Sequence, residues 1–171
     1  FILKEKPDVV INVVDSCNLE RNLYLTMQIL ETGAKVILAL NMMDEAKNKN
    51  IEIDVKKLSS AIGIPAVPTV APKKQGIDEL VGAAVKLGDS SNNDLYKINY
   101  GSEVEKEIKK IEDAFSESAA ALDYPASWTA LKLIENDEYV NKYVSEKVET
   151  NDVKNEVQNS IETLTKSIGY E

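Results

Sequence analysis

In the first 88 residues, short runs of apolar residues alternate with longer segments in which apolar residues recur every three or four positions. The short runs are rich in Val and Ile and nearly continuous, which is typical of strands buried on both faces of a parallel sheet. The predicted strands are 7–15, 35–40 and 66–70. The three-four spacing predicts amphipathic helices. The predicted helices are 18–32, 54–62 and 77–85. Asp54 is suited to cap the second helix, and Gly63 to end it.

This βαβαβα order predicts parallel strands joined by right-handed crossovers. In sheets of this kind, ligands bind beyond the carboxyl ends of the strands. The segments that follow the second and third strands are therefore the places to look for a binding site.

After a polar, turn-prone linker at 88–94, the pattern becomes helical. Four amphipathic helices with short connections are predicted, which is typical of a small bundle. They begin near Ser102, Ser127, Asp137 and Asn151, the first of them in a Ser-x-x-Glu capping box. We divide the chain into a partial α/β domain at 1–88 and a helical domain at 89–171.

The charge distribution supports this division. The net charge of −9 falls on the second domain, because residues 1–88 hold 11 Lys/Arg and 11 Asp/Glu, whereas the remainder holds 9 and 18. An acidic helical domain lacks the clustered Lys and Arg that nucleic-acid binding requires, so no nucleic-acid partner is expected. A well-solvated helical surface explains the acidity most simply.

Composition excludes several classes of site. The sequence has no His and one Cys, which rules out zinc clusters, disulfide frameworks and Ser-His-Asp or Cys-His catalysis. No stretch approaches 18 consecutive apolar residues. Cys17 follows the first strand and is expected to be a small buried residue.

The clearest candidate site is a pair of motifs at strand ends. Asn41-Met42-Met43-Asp44 follows the second strand, and Thr69-Val70-Ala71 closes the third. Guanine carries two adjacent donors, N1–H and the 2-amino group, and one carboxylate can accept from both, so Asp44 can select guanine over adenine. Asn41 is suited to the purine N7 and to joining neighbouring loops, and the Ala71 N–H to O6. Such polar pairing rejects an analogue that lacks it.

The phosphate half of a nucleotide site is not visible. A P-loop needs G-x-x-x-x-G-K-[ST] after a strand, and no segment has it. N-x-x-D alone is also a weak signal, since Asn41 and Asp44 could serve only as caps at a helix entry.

Longer strings resemble one family. They are DSCNLERNLYLTMQILETGAKVILALNMMDEA, VPTVAPKKQGIDEL, INYGSEVEKEIKKIE and SWTALKLIENDEYV. In order, and over nearly the whole chain, they resemble the cytoplasmic region of ferrous iron transport protein B, from the middle of its G domain through its helical domain. The strings L-E-R-N-L-Y-L-T and W-x-A-L-K-L-x-E-x-D are more diagnostic than N-x-x-D.

The resemblance implies specific roles. Asn41 and Asp44 take the base-contacting positions, and Val70, Ala71 and Pro72 take those of the last nucleotide loop. Met42 stands where many GTPases have a lysine that packs on the base, and Met can still cover an apolar ring face. Val70 stands where many have Ser, which removes a hydroxyl that could brace the loop.

The implied fold is α/β: the C-terminal half of a P-loop GTPase-like parallel sheet with flanking helices, followed by a small all-α helical bundle. The implied function is to bind the base of GTP or GDP in the cytoplasmic domain of a GTP-dependent ferrous iron transporter, at the cytoplasmic side of the cell membrane. The parent protein would hydrolyse GTP with Mg²⁺. The catalytic residues and Mg²⁺ ligands would lie outside this chain, which is not expected to hydrolyse GTP alone.

The implied partners are the N-terminal half of the G domain and the membrane-embedded domain of the transporter, and a homo-oligomer is left open. In the resembled fold the first strand pairs on its other side with the strand that enters the P-loop, so an isolated chain would expose an apolar edge. We therefore expect this chain to be one piece of a larger polypeptide.

One alternative function stays open. The helical domain could be the active part, a non-catalytic interaction or regulatory module, with the half-sheet serving only as a docking scaffold. Binding of guanine nucleotides, sensitive to Asp44, would separate the two hypotheses.

Overall fold

A computed structural model describes residues 1–90, 98–148 and 151–169. The chain forms two compact units, Phe1–Ile98 and Asn99–Glu171. The predicted boundary at 88/89 falls at the end of a helix, and the division comes later because Ile98 packs against the core of the first unit. Most of the predicted linker, residues 91–94, lies outside the described residues.

The sheet of the first unit confirms the predicted parallel fold. Its described strands, in the spatial order β1-β2-β3, are β1 Val10–Asp15, β2 Val36–Asn41 and β3 Ala66–Pro68. Both pairings are parallel, and Asp15 at the end of β1 lies beside Asn41 at the end of β2. The carboxyl ends of the strands therefore meet at one edge of the sheet.

Five α-helices lie in the described part of this unit: α1 Ile2–Glu5, α2 Leu19–Glu31, α3 Met43–Asn48, α4 Val55–Ile62 and α5 Ile77–Asp89. The three predicted helices correspond to α2, α4 and α5. Asp54 caps α4 by accepting a hydrogen bond from the Lys57 N–H at 3.0 Å, and Gly63 ends it with a φ of 79°. The short helices α1 and α3 were not predicted, because four and six residues are too few to show an apolar period.

The expectation that β1 is buried on both faces is wrong for the described structure. Ile11 is 42% exposed and Val13 is 60% exposed, whereas Val14 is buried. The helix α5 covers Ile37 of β2 through Leu80 and leaves the same face of β1 uncovered. The strand is therefore buried only on the face that carries α2 and α4.

β3 is also shorter than predicted. Regular pairing ends at Pro68, although the Thr69 N–H still donates to the Leu40 carbonyl at 2.7 Å. Val70 then pairs in antiparallel fashion with Gln75 and closes a tight loop. The last two predicted strand residues are therefore part of the loop at the edge of the sheet.

The second unit is helical, as predicted. Its described helices are α6 Ser102–Phe115, α7 Ala126–Ile134, α8 Glu138–Lys147 and α9 Asn151–Ile168, with a 3-10 segment at Ser116–Ala121. Their core includes Ile111, Phe115 and Leu164, all almost fully buried. No helix among the described residues is long and apolar enough to cross a bilayer.

The capping predictions in this unit have different outcomes. Asp137 caps α8 by accepting from the Val140 N–H at 2.9 Å. Ser102 is instead the first helical residue of α6, and Glu105 reaches back to the Tyr100 N–H at 3.3 Å. The predicted box with Ser102 as cap is therefore not formed, because the helix starts one residue too early for it.

Candidate nucleotide-base site

Asn41 joins two strand ends. It is the last residue of β2, and its Oδ1 accepts hydrogen bonds from the Ala71 N–H at 3.1 Å and from the Thr69 hydroxyl at 3.4 Å. Thr69 is buried, and its backbone N–H donates to the Leu40 carbonyl at 2.7 Å. The amide of Asn41 therefore holds the loop after β3 against the end of β2, which is the loop-joining role expected of it.

Asp44 reaches the same edge because the chain turns sharply at Met42. Met42 has a φ of 63° and a ψ of 33°, the left-handed conformation, so that α3 starts directly after β2. Asp44 lies in the first turn of α3, where the positive end of a helix favours a carboxylate. The Asp44 side chain is 32% exposed, which leaves it accessible to a ligand.

Both oxygens of Asp44 make hydrogen bonds. Oδ1 accepts from the Glu45 N–H at 3.1 Å, and Oδ2 accepts from the Lys73 ammonium at 2.6 Å. The hydrogen bond from Lys73 is the main cause that lowers the pKa of Asp44, and the Glu45 N–H adds to it. Asp44 is therefore ionised at neutral pH, as an acceptor for two guanine donors has to be.

The loop after β3 is tightly built. Val70 and Gln75 exchange backbone hydrogen bonds of 3.0 and 3.3 Å, and a 3-10 turn, Ala71–Lys73, lies between them. Gly76 follows with a φ of 76°, and a Cβ there would lie 2.1 Å from the Pro68 carbonyl oxygen. The loop therefore depends on a glycine at this position.

The six predicted site residues differ in what they present. Asn41, Ala71 and Asp44 are joined to one another through the loop, and Met42 and Pro72 are exposed beside them. The Val70 side chain is only 7% exposed, so Val70 contributes its backbone to the loop rather than a side-chain contact. Sequence reasoning missed Lys73, because nothing in the motif T-x-A indicates an ion pair between this lysine and Asp44, the carboxylate four residues after Leu40.

Two of the cavities among the described residues lie away from this site. One, of about 480 Å³, is lined by Ser16–Arg21 and Ile51–Ile53. Cys17 lies there and is only half-buried, which corrects the expectation that it is buried. The Asn18 amide and the Cys17 N–H hold the pKa of Asp15 below its ordinary value. The second cavity, of about 260 Å³, lies among α7, α8 and α9.

Within 1–90, 98–148 and 151–169, no three side chains of His, Cys, Asp or Glu come together as a group that could hold a metal ion.

Comparison with known proteins identifies the family. The model of the family described as ferrous iron transport protein B matches residues 1–84, and that of the FeoB cytosolic helical domain matches residues 100–171. This chain belongs to the ferrous iron transport protein B family. The two matches fall on the two compact units, so the family's G-domain and helical-domain segments are both present.

Curated relatives are similar over most of the chain. An Fe(2+) transport protein A/Fe(2+) transporter FeoB fusion protein from Porphyromonas gingivalis is 42% identical over 82% of this chain and 17% of its own length. The Fe(2+) transporter FeoB of Salmonella typhimurium is 38% identical over 85% of this chain and 18% of its own length. The chain therefore spans less than a fifth of these FeoB proteins.

Solved structures confirm the fold. A mutant of NFeoB from S. thermophilus bound to GDP has a TM-score of 0.87 and 34% identity, covering 99% of this chain and 64% of that one. A second mutant of the same protein, bound to GMPPNP, has a TM-score of 0.86 with the same coverage. NFeoB from S. thermophilus has also been crystallised with GDP, AlF4⁻ and K⁺.

Proposed function

We propose that this chain is the guanine-nucleotide-binding portion of the cytoplasmic domain of a GTP-dependent ferrous iron transporter, and that Asn41, Asp44 and the loop at 69–72 bind the base. The supporting observation is that Asn41 and Asp44 each bond to the loop after β3, at the carboxyl edge of the sheet. Parallel α/β sheets bind their ligands at this edge. The GDP- and GMPPNP-bound NFeoB structures add support from a related chain.

The proposed contacts use hydrogen-bonding capacity that the described residues leave open, since each carboxylate oxygen can accept more than one hydrogen bond. The Asp44 carboxylate accepts from guanine N1–H and the 2-amino group. Asn41 uses its Oδ1 to hold Ala71, and no described residue accepts from its Nδ2, which is left to donate to N7. Met42, 41% exposed, covers a face of the ring. Pro72 borders the same site from the exposed side of the loop.

We assign phosphate binding, Mg²⁺ coordination and GTP hydrolysis to other residues of the transporter, because residues 1–171 contain no G-x-x-x-x-G-K-[ST] segment. The same proposal places the chain at the cytoplasmic side of the cell membrane, with the rest of the G domain and the membrane-embedded domain as partners. Iron is the cargo of that transporter and has no assigned site in this chain.

The experiment is a titration of the 171-residue chain with GDP and, separately, with ADP, followed by backbone NMR and calorimetry. We expect shifts at Asn41, Asp44 and Ala71 with GDP, much weaker effects with ADP, and loss of GDP binding in Asp44→Ala. Glu45→Ala is the matched control, because it removes the neighbouring carboxylate of the same turn and keeps the Asp44 side chain. Equal binding of GDP and ADP, or unchanged GDP binding in Asp44→Ala, would refute the proposal.

One observation favours the alternative function, a regulatory module in the helical unit. The cavity among α7, α8 and α9 is lined by both apolar and polar side chains. Its lining residues include Leu133, Val144, Val157, Asn141 and Lys154. A chain that stays folded and binds no guanine nucleotide would favour this alternative.

A further inference from the structure

We propose that Lys73 is a further residue that determines base specificity: its ammonium group stays beside Asp44 and donates a hydrogen bond to O6 of the bound guanine. This inference rests on the proposed function. It assigns the hydrogen bond to O6 to the Lys73 side chain, whereas the sequence pattern assigned it to the Ala71 N–H.

The backbone N–H groups of the loop bond within the protein. The Ala71 N–H donates to Asn41 Oδ1 at 3.1 Å, Pro72 has no N–H, and the Lys73 N–H donates to the Val70 carbonyl at 3.0 Å. The Lys74 N–H donates to the Ala71 carbonyl, also at 3.0 Å. Every backbone donor from Ala71 to Lys74 is therefore already used, and O6 has no free backbone partner there.

The Lys73 ammonium is placed to reach a ligand. Lys73 Nζ lies 2.6 Å from Asp44 Oδ2, and its side chain is 58% exposed, so the group is solvent-accessible at the mouth of the site. An ammonium has three donors, and this ion pair uses one of them. Two donors remain for a ligand.

The order of groups along the guanine edge brings O6 close to Asp44. O6 is the neighbour of N1, and the 2-amino group is on the other side of N1. When Asp44 accepts from N1–H and the 2-amino group, O6 lies next to the carboxylate. An ammonium already held on that carboxylate can then bond to both, and a charge-assisted bond to O6 would be stronger than one from a neutral N–H.

The same geometry predicts discrimination at position 6. A purine with a 6-amino group presents donors to the ammonium and cannot accept from it. Asp44 alone discriminates at positions 1 and 2, so Lys73 adds an independent check on the base. Leaving the ammonium without an acceptor is the source of the penalty.

The test uses three probes: GDP, inosine diphosphate, which lacks the 2-amino group, and 2,6-diaminopurine riboside diphosphate, which carries a 6-amino group in place of O6 and has no N1–H. The loss of N1–H affects the unmodified chain and Lys73→Met alike, so the change in preference between them reports the contact at O6. In Lys73→Met, we expect affinity for GDP to fall about tenfold, the range of a single charge-assisted hydrogen bond. The preference for GDP over the diaminopurine probe should shrink by a similar factor. The preference for GDP over inosine diphosphate, which depends on Asp44, should persist.

Two variants control this experiment. Lys74→Met removes the same charge one residue later, where no ion pair forms with a described residue, and should bind GDP as the unmodified chain does. Lys73→Arg keeps the charge and donors and should restore part of the affinity. Backbone NMR of each variant reports whether the loop at 70–76 stays folded.

The outcomes are distinguishable. Tighter GDP binding by Lys73→Met would mean that Lys73 competes with guanine for Asp44, and an unchanged preference at position 6 would mean that it does not touch O6; either result overturns the inference. If the unmodified chain does not distinguish GDP from ADP, or Asp44→Ala changes nothing, the proposed function fails and Lys73 loses its role with it.

Discussion

Gly76 is the position at which the loop of the site depends most directly on backbone geometry. Its φ is 76°, and a Cβ would lie 2.1 Å from the Pro68 carbonyl oxygen and 3.2 Å from Thr69 Cα. Both neighbours are backbone atoms, so they cannot rotate away. Gly76→Ala must therefore move the loop away from the end of β3.

The expected cost has two parts. An L-residue in the left-handed region costs about 1 kcal/mol. Relief of the contact requires a shift of about 1 Å, which endangers the 2.7 Å hydrogen bond from the Thr69 N–H to the Leu40 carbonyl, and loss of a buried bond of this kind costs about 1–3 kcal/mol. Gly76→Ala should therefore destabilise the first unit by about 3 kcal/mol.

Gly82 provides the matched control. It lies inside α5, and a Cβ there would meet no atom within 4 Å. Because alanine has the better helix propensity, Gly82→Ala should stabilise by about 0.5–1 kcal/mol. The two variants therefore add the same methyl group with opposite expected signs.

Native-state hydrogen exchange of the β2 amides, measured on the whole chain, reports the stability of the first unit separately from the helical unit. Slower exchange in Gly82→Ala and much faster exchange in Gly76→Ala are expected. The described loop geometry is wrong if the opening free energy of the β2 amides in Gly76→Ala differs from that of the unmodified chain by less than about 0.5 kcal/mol. Such a difference is below the cost of a strained backbone position.

Three further predictions concern single polar groups. The Ser160 hydroxyl is buried with no hydrogen-bond partner among the described residues, so Ser160→Ala should raise the free energy of unfolding by about 1 kcal/mol, measured by urea denaturation followed at the single Trp. Thr26→Val leaves the buried Asn12 amide without its 2.8 Å acceptor and should cost the first unit about 1–3 kcal/mol, measured by hydrogen exchange of the β2 amides, whereas a neutral effect would show that the bond is not formed. Asn18→Ala should raise the pKa of Asp15 towards its ordinary value, which carboxyl NMR of Asp15 can follow. A lowered pKa stabilises the folded state above the unfolded pKa, and this contribution disappears as the pH falls through the folded pKa. The variant should therefore be less stable than the unmodified chain at neutral pH and equally stable in acid. A loss that persists at low pH would point to another cause.

The parts of the fold that the sequence predicted are those with a local physical signal. The cap at Asp54 and the stop at Gly63 are properties of single residues in a helical pattern, and both are formed as expected. Residues 36–40 are apolar throughout, as fits a strand covered on both faces, and Ile37 and Leu38 are fully buried. Local pattern and tertiary position agree in these segments.

The sequence was less informative where burial depends on which other elements pack against a segment. The run at 7–15 is also rich in Val and Ile, but Val13 is exposed because no described element covers that face of β1. An apolar strand pattern indicates a preference for burial, and whether the strand is buried depends on the elements that pack against it.

The site shows the same limit. The motif N-x-x-D located Asn41 and Asp44, and their positions at the edge of the sheet follow from the parallel order. The ion pair between Lys73 and Asp44 joins residues 29 positions apart and depends on the turn at Ala71–Lys73. No short motif contains that information, so the contact could be found only from the folded chain.

Recognition of guanine by the Asp44 carboxylate is the central claim, and a change of base preference tests it most directly. The side-chain amide in Asp44→Asn cannot accept from both guanine donors, but it can donate to the 2-oxo group of xanthine. Dissociation constants of GDP and xanthosine diphosphate should be measured for the unmodified chain and for Asp44→Asn. The account predicts that the preference reverses, with the unmodified chain binding GDP more tightly and Asp44→Asn binding xanthosine diphosphate more tightly. An Asp44→Asn chain that is folded and still prefers GDP would contradict it.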